Sequence, residues 1–286
     1  MRNDICCIHR IAKMHFRKWT KDPRYVVLFL FLLVTEQMQT EGMWEQAKTL
    51  GVSVNGLSVF PTMINNQVVL GPLIMLGGIL LLFCDAPFWD KNQKAVMIRA
   101  KRKRYCMGTI LYVFYASVLY VTVIVGVSLL MNIRNLGFSN EWGSYFESVA
   151  AGWNQDVVGN LYIPSKMMLR FSAGEAFVYQ FVLLLLGTFL FGLIMYYGNL
   201  MKKKYVGLLV CSLLIALGQF PEILVNSAWI CWISPVNLMK IDWLYVKPTL
   251  GYPSVAYAMG VLIVLNLILI VLIRKRFRNI DLTVSE

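Results

Sequence analysis

Long apolar runs dominate the chain, and they predict α-helices that cross a membrane. Five runs are close to or longer than the ~20 residues that a helix needs to cross a hydrocarbon core of ~30 Å, and they cover 67–84, 105–133, 176–197, 205–223 and 252–273. A sixth run begins at Tyr25 and stays apolar only to Val34, after which Glu36 and Gln39 follow. Because no cleavage site of small residues comes after it, we interpret it as a retained first span rather than a signal peptide. The pattern predicts an all-α, polytopic membrane protein with six transmembrane helices.

The composition agrees with a membrane protein and the distribution of charge orients it. Of the 286 residues, 58% are hydrophobic and only 15% are charged, which excludes an ordinary soluble domain. Six spans place 21 of the 27 Lys and Arg residues on one side, in 1–24, 85–104, 202–204 and 274–278. By the positive-inside rule this side is the cytoplasm, so both termini are expected there.

The same arrangement accounts for the net charge of +12 without nucleic acid. A nucleic-acid binder would concentrate its cations on one soluble module, and no loop is long enough to fold as one. We therefore expect no nucleic-acid partner and a multi-pass protein of the cell membrane. The sequence has no N-x-[ST] sequon, which favours a bacterial source.

Residues 1–24 form a segment distinct from the transmembrane domain over 25–286. On a helical wheel, residues 5–21 separate an apolar arc from a basic face. The arc contains Ile5, Ile8, Ile11, Ala12, His15, Phe16 and Trp19, and the basic face contains Arg10, Lys13, Arg17 and Lys21. We expect an interfacial helix with its arc at the acyl boundary and its cations among the head groups, ending at Asp22 and Pro23. A solvated basic tail is the alternative.

The inner loop 85–104, between the second and third spans, carries a basic cluster. Asn92 is a suitable N-cap for a helix that continues through Arg99 and 101–104 with cations on all sides. Such a helix gains little from lipid on one side only, so part of its surface is expected to contact an acidic or polar protein in the cytoplasm. The alternative is that the cluster only fixes the topology.

The outer loops are predicted at 41–66, 134–175 and 224–251. The second is too aromatic for a free linker and is expected to pack at the membrane surface, through Trp142, Tyr145, Phe146, Trp153 and Tyr162. The segment 221–243 is apolar but repeatedly interrupted, by Pro221, Glu222, Asn226, Pro235 and Asn237. It is expected to form short re-entrant helices that dip into the outer leaflet.

Polar residues inside the predicted spans are candidates for a translocation path, and they are Glu36, Gln39, Gln180, Gln219 and Asn266. A polar group facing lipid costs free energy, so each is expected to face the interior of the bundle. For the amides, the alternative role is hydrogen bonding between helices. For Glu36, the alternative is a position at the outer interface.

Motifs for catalysis are missing from the sequence. It contains no GxxxxGK[ST] loop for ATP phosphates, no GxSxG elbow, no HExxH and no CxxC pair. We expect no metal, no cofactor held by this chain and no enzymatic activity of its own. A membrane-embedded lipid enzyme is the weakest alternative, because no acid–base pair is visible.

These features together resemble the membrane (permease) subunits of type-2 ABC transporters. The similarity is in the N-terminal elbow helix over 5–21, the lead-in RKWTKDPRYVVLF, six spans with both ends inside, a basic helix between spans two and three, and ISPVN after span five. The resemblance implies a separate ATPase chain that binds ATP, a second permease chain in a homo- or heterodimer, and export or extraction of an amphipathic peptide, antibiotic or lipid.

On this resemblance, the contact with the ATPase falls on the inner loop, at Gln93, Lys94, Arg99, Lys101, Arg102 and Lys103. ATPase closure would move this helix and, with it, the spans. The alternative function is a nontransporting membrane immunity or sensor protein that binds a peptide on its aromatic outer loops.

Overall fold

The computed structural model describes residues 2–40, 43–66, 70–86, 93–133, 136–152, 165–201, 205–223, 229–247 and 251–278. The chain is mostly helical, as the sequence predicts. The first half contains α1 (Arg2–Phe16), α2 (Arg24–Thr40), α3 (Met43–Leu50), α4 (Gly56–Ile64), α5 (Leu70–Phe83), α6 (Gln93–Ala100) and α7 (Arg102–Met131). The second half contains α8 (Ser144–Ala150), α9 (Ser165–Arg170), α10 (Ala173–Asn199), α11 (Val206–Ile223), α12 (Ile230–Ile233), α13 (Pro235–Leu238) and α14 (Val255–Arg278).

Three helices of the described chain, α7, α10 and α14, are long and apolar enough to cross a membrane. At a rise of 1.5 Å per residue, their 30, 27 and 24 residues correspond to lengths of about 45, 40 and 36 Å. They coincide with three of the predicted spans and support a membrane-embedded protein. The helices α2, α5 and α11 are shorter, with 17, 14 and 18 residues.

The long helix α10 lies at the centre of the bundle, against α7, α11 and α14. Glycines allow this packing. A Cβ atom at Gly192 would lie 2.6 Å from Cγ1 of Val113 on α7, and one at Gly198 would lie 2.5 Å from Cα of Gly207 on α11. The backbones of α10 and α11 therefore touch at the end where the short connection joins them. The amide side chain of Asn199 accepts a hydrogen bond from Gly207 N at 3.1 Å and adds a polar contact there.

Helix α1 packs on α7, so the prediction for its apolar arc needs correction. The middle of the arc, Ile11, Ala12 and His15, is buried in protein contacts, whereas only Ile5 at the start of the arc is largely exposed. Gly108 on α7 leaves room for this contact, since a Cβ there would lie 2.6 Å from Cβ of Ile11. A hydrophobic face does not itself distinguish lipid from a neighbouring helix. The predicted basic face is exposed at Arg10, Lys13, Arg17 and Lys21.

Aromatic contacts hold the connection between α1 and α2 against α7. Trp19 donates a hydrogen bond from Nε1 to the Tyr112 hydroxyl at 2.8 Å and stacks on Tyr25 at 4.3 Å between ring centroids. Arg24 forms ion pairs with Asp22 and with Asp85 beyond α5. The turn at Asp22 and Pro23 is therefore fixed to two other parts of the bundle.

The basic segment after α5 is divided into two helices, contrary to the single helix that we predicted. Lys101 has a φ of 67°, in the left-handed region, and separates α6 from α7. Of the cluster, only Arg99 belongs to α6, while 102–104 form the first turn of α7. The proposed cap, Asn92, lies outside the described residues.

The segments predicted as outer loops contain more regular structure than we expected. Loop 41–66 holds α3 and the almost fully buried α4, and the strands β1 (Val54–Asn55) and β2 (Leu136–Gly137) pair in parallel. Asn55 connects these elements: its side chain accepts from Leu57 N at 3.2 Å as the N-cap of α4 and donates to Ser139 O at 2.9 Å. The segment 221–243 was predicted to consist of short helices, but Pro221 and Glu222 belong to the last turn of α11. Within it, 229–243 forms α12, α13 and a 3₁₀ turn at Ile241–Trp243, as predicted, and 224–228 lie outside the described residues.

Candidate functional site

Helix α2 buries four of its polar residues together with Leu28 and Leu32, and it exposes six apolar residues together with Gln37. Thr35, Glu36, Gln39 and Thr40 are buried against the bundle. The exposed apolar side chains are Val26, Val27, Phe29, Leu30, Val34 and Met38. This distribution is the reverse of a soluble surface helix and matches a helix whose outside meets lipid and whose inside lines a polar interior.

Glu36 and Gln39 form an incompletely paired polar cluster between α2 and α7. Glu36 is 0% exposed, and its Oε1 accepts a hydrogen bond from the Ser128 hydroxyl at 3.2 Å. Its Oε2 and both polar atoms of the Gln39 amide have no hydrogen-bond partner among the described residues. Buried polar groups in proteins are nearly always paired, so these unpaired atoms, three residues apart on α2, mark the candidate site.

The Ser128 hydroxyl also limits the chemistry of this cluster. It lies 2.8 Å from Ile124 O as well as 3.2 Å from Glu36 Oε1, but a hydroxyl has one proton to donate. The two acceptors therefore share one proton, and Ser128 satisfies Glu36 Oε1 only in part. Sequence reasoning identified Glu36 and Gln39 but missed Ser128, whose only signal was a small polar residue within an apolar run.

Gln180, another predicted path residue, uses both its amide nitrogen and its amide oxygen in hydrogen bonds within the protein. Its Nε2 donates to Met239 O at 2.9 Å, and its Oε1 accepts from Asn65 Nδ2 at 2.8 Å and from Ile241 N at 3.3 Å. Asn65 in turn accepts from Asp242 N at 3.2 Å. The two amides join α4, α10 and the segment after α13, which favours the interhelical hydrogen bonding that we considered as the alternative for the amides.

Of the remaining two amides, Asn266 has contacts that the structure describes. Asn266 donates from Nδ2 to Leu186 O on α10 at 3.0 Å and to Leu262 O at 2.8 Å. It therefore ties α14 to α10, away from α2. Gln219 lies in α11, but its side chain falls outside what the structure describes.

The predicted ATPase-contact residues separate into two groups at the Lys101 break. On α6, Arg99 is exposed beside Ile98, whose side chain is 69% exposed, while Met97 is buried and anchors the helix. Gln93 and Lys94 begin α6, but their side chains lie outside the described set. Sequence reasoning considered only the cations and missed Ile98, an exposed apolar residue next to an arginine.

The second group, Arg102 and Lys103, lies where α7 meets the end of α14. Arg102 donates from its guanidinium to Arg278 O at 3.1 Å. Together with Arg274, Lys275 and Arg278, these residues line one cleft between the two helices. The prediction counted the last three only as topology signals.

Three aromatic residues of the predicted outer loop are buried, and two of them form hydrogen bonds within the protein. Trp142 donates from Nε1 to Phe171 O at 2.7 Å, and the Tyr145 hydroxyl donates to Gln46 Oε1 at 3.1 Å. Burial raises the pKa of Tyr145, so its hydroxyl remains a donor. Phe146 is also buried, whereas Trp153 and Tyr162 lie outside the described residues. The outer segments are further tied by Arg170, which lies over the Tyr245 ring at 3.7 Å and donates to Leu244 O at 3.1 Å.

In the part of the chain that the structure describes, no group of three His, Cys, Asp or Glu side chains could hold a metal ion. Comparisons with protein-family models, curated proteins and solved structures gave no match for this chain.

Proposed function

We propose that this chain is the permease subunit of a type-2 ABC transporter, which moves an amphipathic peptide, antibiotic or lipid with energy from a separate ATPase chain. The six spans are then α2, α5, α7, α10, α11 and α14, with both termini in the cytoplasm of a bacterial cell. The observation that carries the proposal is α6, a short helix anchored inside by Met97 that presents Ile98 and Arg99 outside.

The outer face of α6 has the composition of a protein-docking surface. An exposed isoleucine beside an arginine offers apolar contact area and a charged hydrogen-bond donor, a combination suited to a partially acidic partner. The adenine nucleotide itself would bind to the ATPase chain, since this sequence has no phosphate loop.

The position of α6 would let it transmit movement into the bundle. Its last residue is followed by Lys101, and α7 starts immediately afterwards. Helices α1, α10 and α14 all pack on α7. A force applied at α6 would therefore reach α7 through a single residue and, through α7, most of the bundle.

The reversed polarity of α2 supports the transport step of the proposal. Glu36 and Gln39 supply polar groups at a buried position, while the apolar exterior of α2 suits lipid or a second permease chain. A path with these groups would accept the polar part of an amphipathic molecule. The alternative of peptide capture on outer aromatics has less support, because Trp142, Tyr145 and Phe146 are buried.

Co-purification with a P-loop ATPase tests the proposal, the first candidate being one whose gene adjoins that of this chain. The variant Ile98→Gln with Arg99→Glu should reduce the bound ATPase by about tenfold or more, as expected for the loss of an interface anchor. The matched control is Arg10→Glu, which reverses one exposed charge on α1, and it should retain the ATPase. If the wild-type chain binds no ATPase, or if the α6 variant binds as well as the control, the proposal is wrong.

Topology requires its own measurement. Single cysteines placed at Arg99 and at Glu45, both exposed, should react with a membrane-impermeant thiol reagent from opposite sides when introduced into a cysteine-free background. Labelling of both from the same side would contradict the six-span arrangement without affecting the ATPase-binding result.

A further inference from the structure

The cleft between the start of α7 and the end of α14 has the chemistry of a lipid head-group site. Its volume is about 560 Å³, within the range of about 300–1,000 Å³ that ligand pockets occupy. Five cations line it, Arg102, Lys103, Arg274, Lys275 and Arg278. No carboxylate lines this cleft among the described residues. Such a concentration of positive charge strongly favours an anionic occupant.

The geometry of α7 adds to this attraction. Arg102 and Lys103 form its first turn, where backbone N–H groups lack acceptors within the helix. Lys101, the N-cap residue, makes no side-chain cap hydrogen bond. The positive end of the α7 dipole reinforces the cations, whereas the last carbonyls of α14 oppose it, so the attraction for a phosphate group comes mainly from the five side-chain cations.

The floor of the cleft is apolar and continues along α14 towards the membrane. Cys106, Val271 and Phe277 line it together with the cations. Phe277 stacks on Tyr105 with 6.0 Å between ring centroids, which holds the two helices together below the cations. Val271 is 61% exposed, so the floor opens outwards rather than into the core.

A single face of α14 connects the cations to an apolar stripe. Steps of four and three residues place Val264, Ile268, Val271, Lys275 and Arg278 on the same face of a helix. The first three are exposed apolar side chains and the last two are exposed cations. This face covers about 21 Å of helix, with its apolar part on the membrane side. An anionic head with an attached hydrocarbon chain matches it, whereas a free phosphate would use only one end.

We propose that this cleft binds one anionic phospholipid of the inner leaflet, with its phosphate among the five cations and an acyl chain along Val271 and Ile268. Polybasic sites between transmembrane helices on the cytoplasmic side recognise anionic head groups in this way. The lipid would connect α7 to α14. Helices α1 and α6 both pack on α7. Binding depends on the membrane orientation of the chain but not on the ATPase.

Lipid binding to the purified, delipidated chain in neutral detergent tests the inference. Native mass spectrometry should show phosphatidylglycerol retained about tenfold or more over phosphatidylcholine. The variant Lys103→Gln, Arg274→Gln, Lys275→Gln should weaken phosphatidylglycerol binding by about 100-fold, at roughly fivefold per cation. The control Lys48→Gln, Lys166→Gln, Lys247→Gln removes the same charge from exposed positions far from the cleft and should change it by less than about threefold.

Two further arms distinguish the lipid from other occupants. Millimolar inorganic phosphate should not displace the lipid, and Val271→Gln should weaken phosphatidylglycerol without affecting the binding of phosphate. If the triple variant does not fold, Lys103→Gln and Lys275→Gln alone should each show a loss of roughly fivefold. Equal losses in the cleft and control variants, equal retention of the two lipids, or full displacement by phosphate would each overturn the proposal.

Discussion

Replacement of Gln180 by leucine tests whether Gln180 stabilises the fold through its hydrogen bonds or lines a translocation path. The substitution keeps the volume nearly unchanged but removes the acceptor of Ile241 N and the donor to Met239 O, both in a buried segment. Leaving a buried polar group unpaired costs about 1–3 kcal/mol. Asn65 loses less, because its Nδ2 also donates to Pro61 O at 2.7 Å. With two backbone groups left unpaired, we expect the free energy of unfolding to fall by about 2–6 kcal/mol.

Unfolding in mixed micelles with increasing SDS, followed by tryptophan fluorescence, measures this change. Gln37→Leu provides the control, since Gln37 is exposed on α2 and should shift stability by less than about 0.5 kcal/mol. A double-mutant cycle with Asn65→Ala should show coupling of about 1 kcal/mol, because the two amides share a hydrogen bond of 2.8 Å. Unchanged stability of Gln180→Leu combined with lost transport would refute the structural role and return Gln180 to the path.

Three other substitutions test separate parts of the structure. Glu36→Gln keeps the contact with Ser128 but removes the carboxyl group. The free energy of unfolding should therefore change by less than about 1 kcal/mol, while the stimulation of ATPase activity by substrate should fall. Unchanged stimulation would exclude Glu36 from the path. Burial, with a smaller contribution from Lys18, lowers the pKa of His15 from 6.5 to about 4. The unfolded state therefore binds the proton first as pH falls, and stability that is complete above pH 6.5 should drop by about 2 kcal/mol by pH 5. His15→Asn should remove this pH dependence, and an identical pH profile would contradict the assignment. Gly192→Ala should destabilise the protein by about 1–3 kcal/mol, because the added Cβ meets Val113. The control Gly126→Ala on α7 has open space around the added Cβ and should stabilise the protein by up to about 1 kcal/mol. Equal effects of the two substitutions would show that α10 does not approach α7 so closely.

Spans were predictable where the chain is apolar throughout. The predicted boundaries of α7, at 105 and 133, lie within three residues of Arg102 and Met131. The same holds for α10, predicted at 176–197 and found at Ala173–Asn199. Bilayer thickness fixes such lengths, so composition alone locates these helices.

Contacts between distant residues were not predictable from the pattern. Asn65 and Gln180 are 115 positions apart, and nothing local to either indicates the pairing. The short strands β1 and β2 depend on the same kind of contact between two outer segments. The break at Lys101 was missed because neither Gly nor Pro marks it, and lysine rarely adopts a positive φ.

The candidate site residues show the same difference between features visible in the local sequence and features that depend on distant contacts. Glu36 and Gln39 were found because polar residues are costly inside a membrane helix, a property that the sequence shows directly. Whether an amide is already paired, as in Asn266, depends on the backbone that it meets. Ile98 escaped notice because exposure of one apolar residue is visible only once Met97 is known to point inward.

The contact between Gly198 and Gly207 constrains how the protein can open. With no side chain between them, the backbones of α10 and α11 are already as close as atoms allow. The two helices therefore cannot move closer at this end. Moving them apart here would break the hydrogen bond from Gly207 N to the Asn199 side chain. Relative motion of the pair has to pivot at this junction, so a small tilt becomes a gap that widens with distance along α11. A rotation of about 10° would open about 4 Å at the far end of its 18 residues.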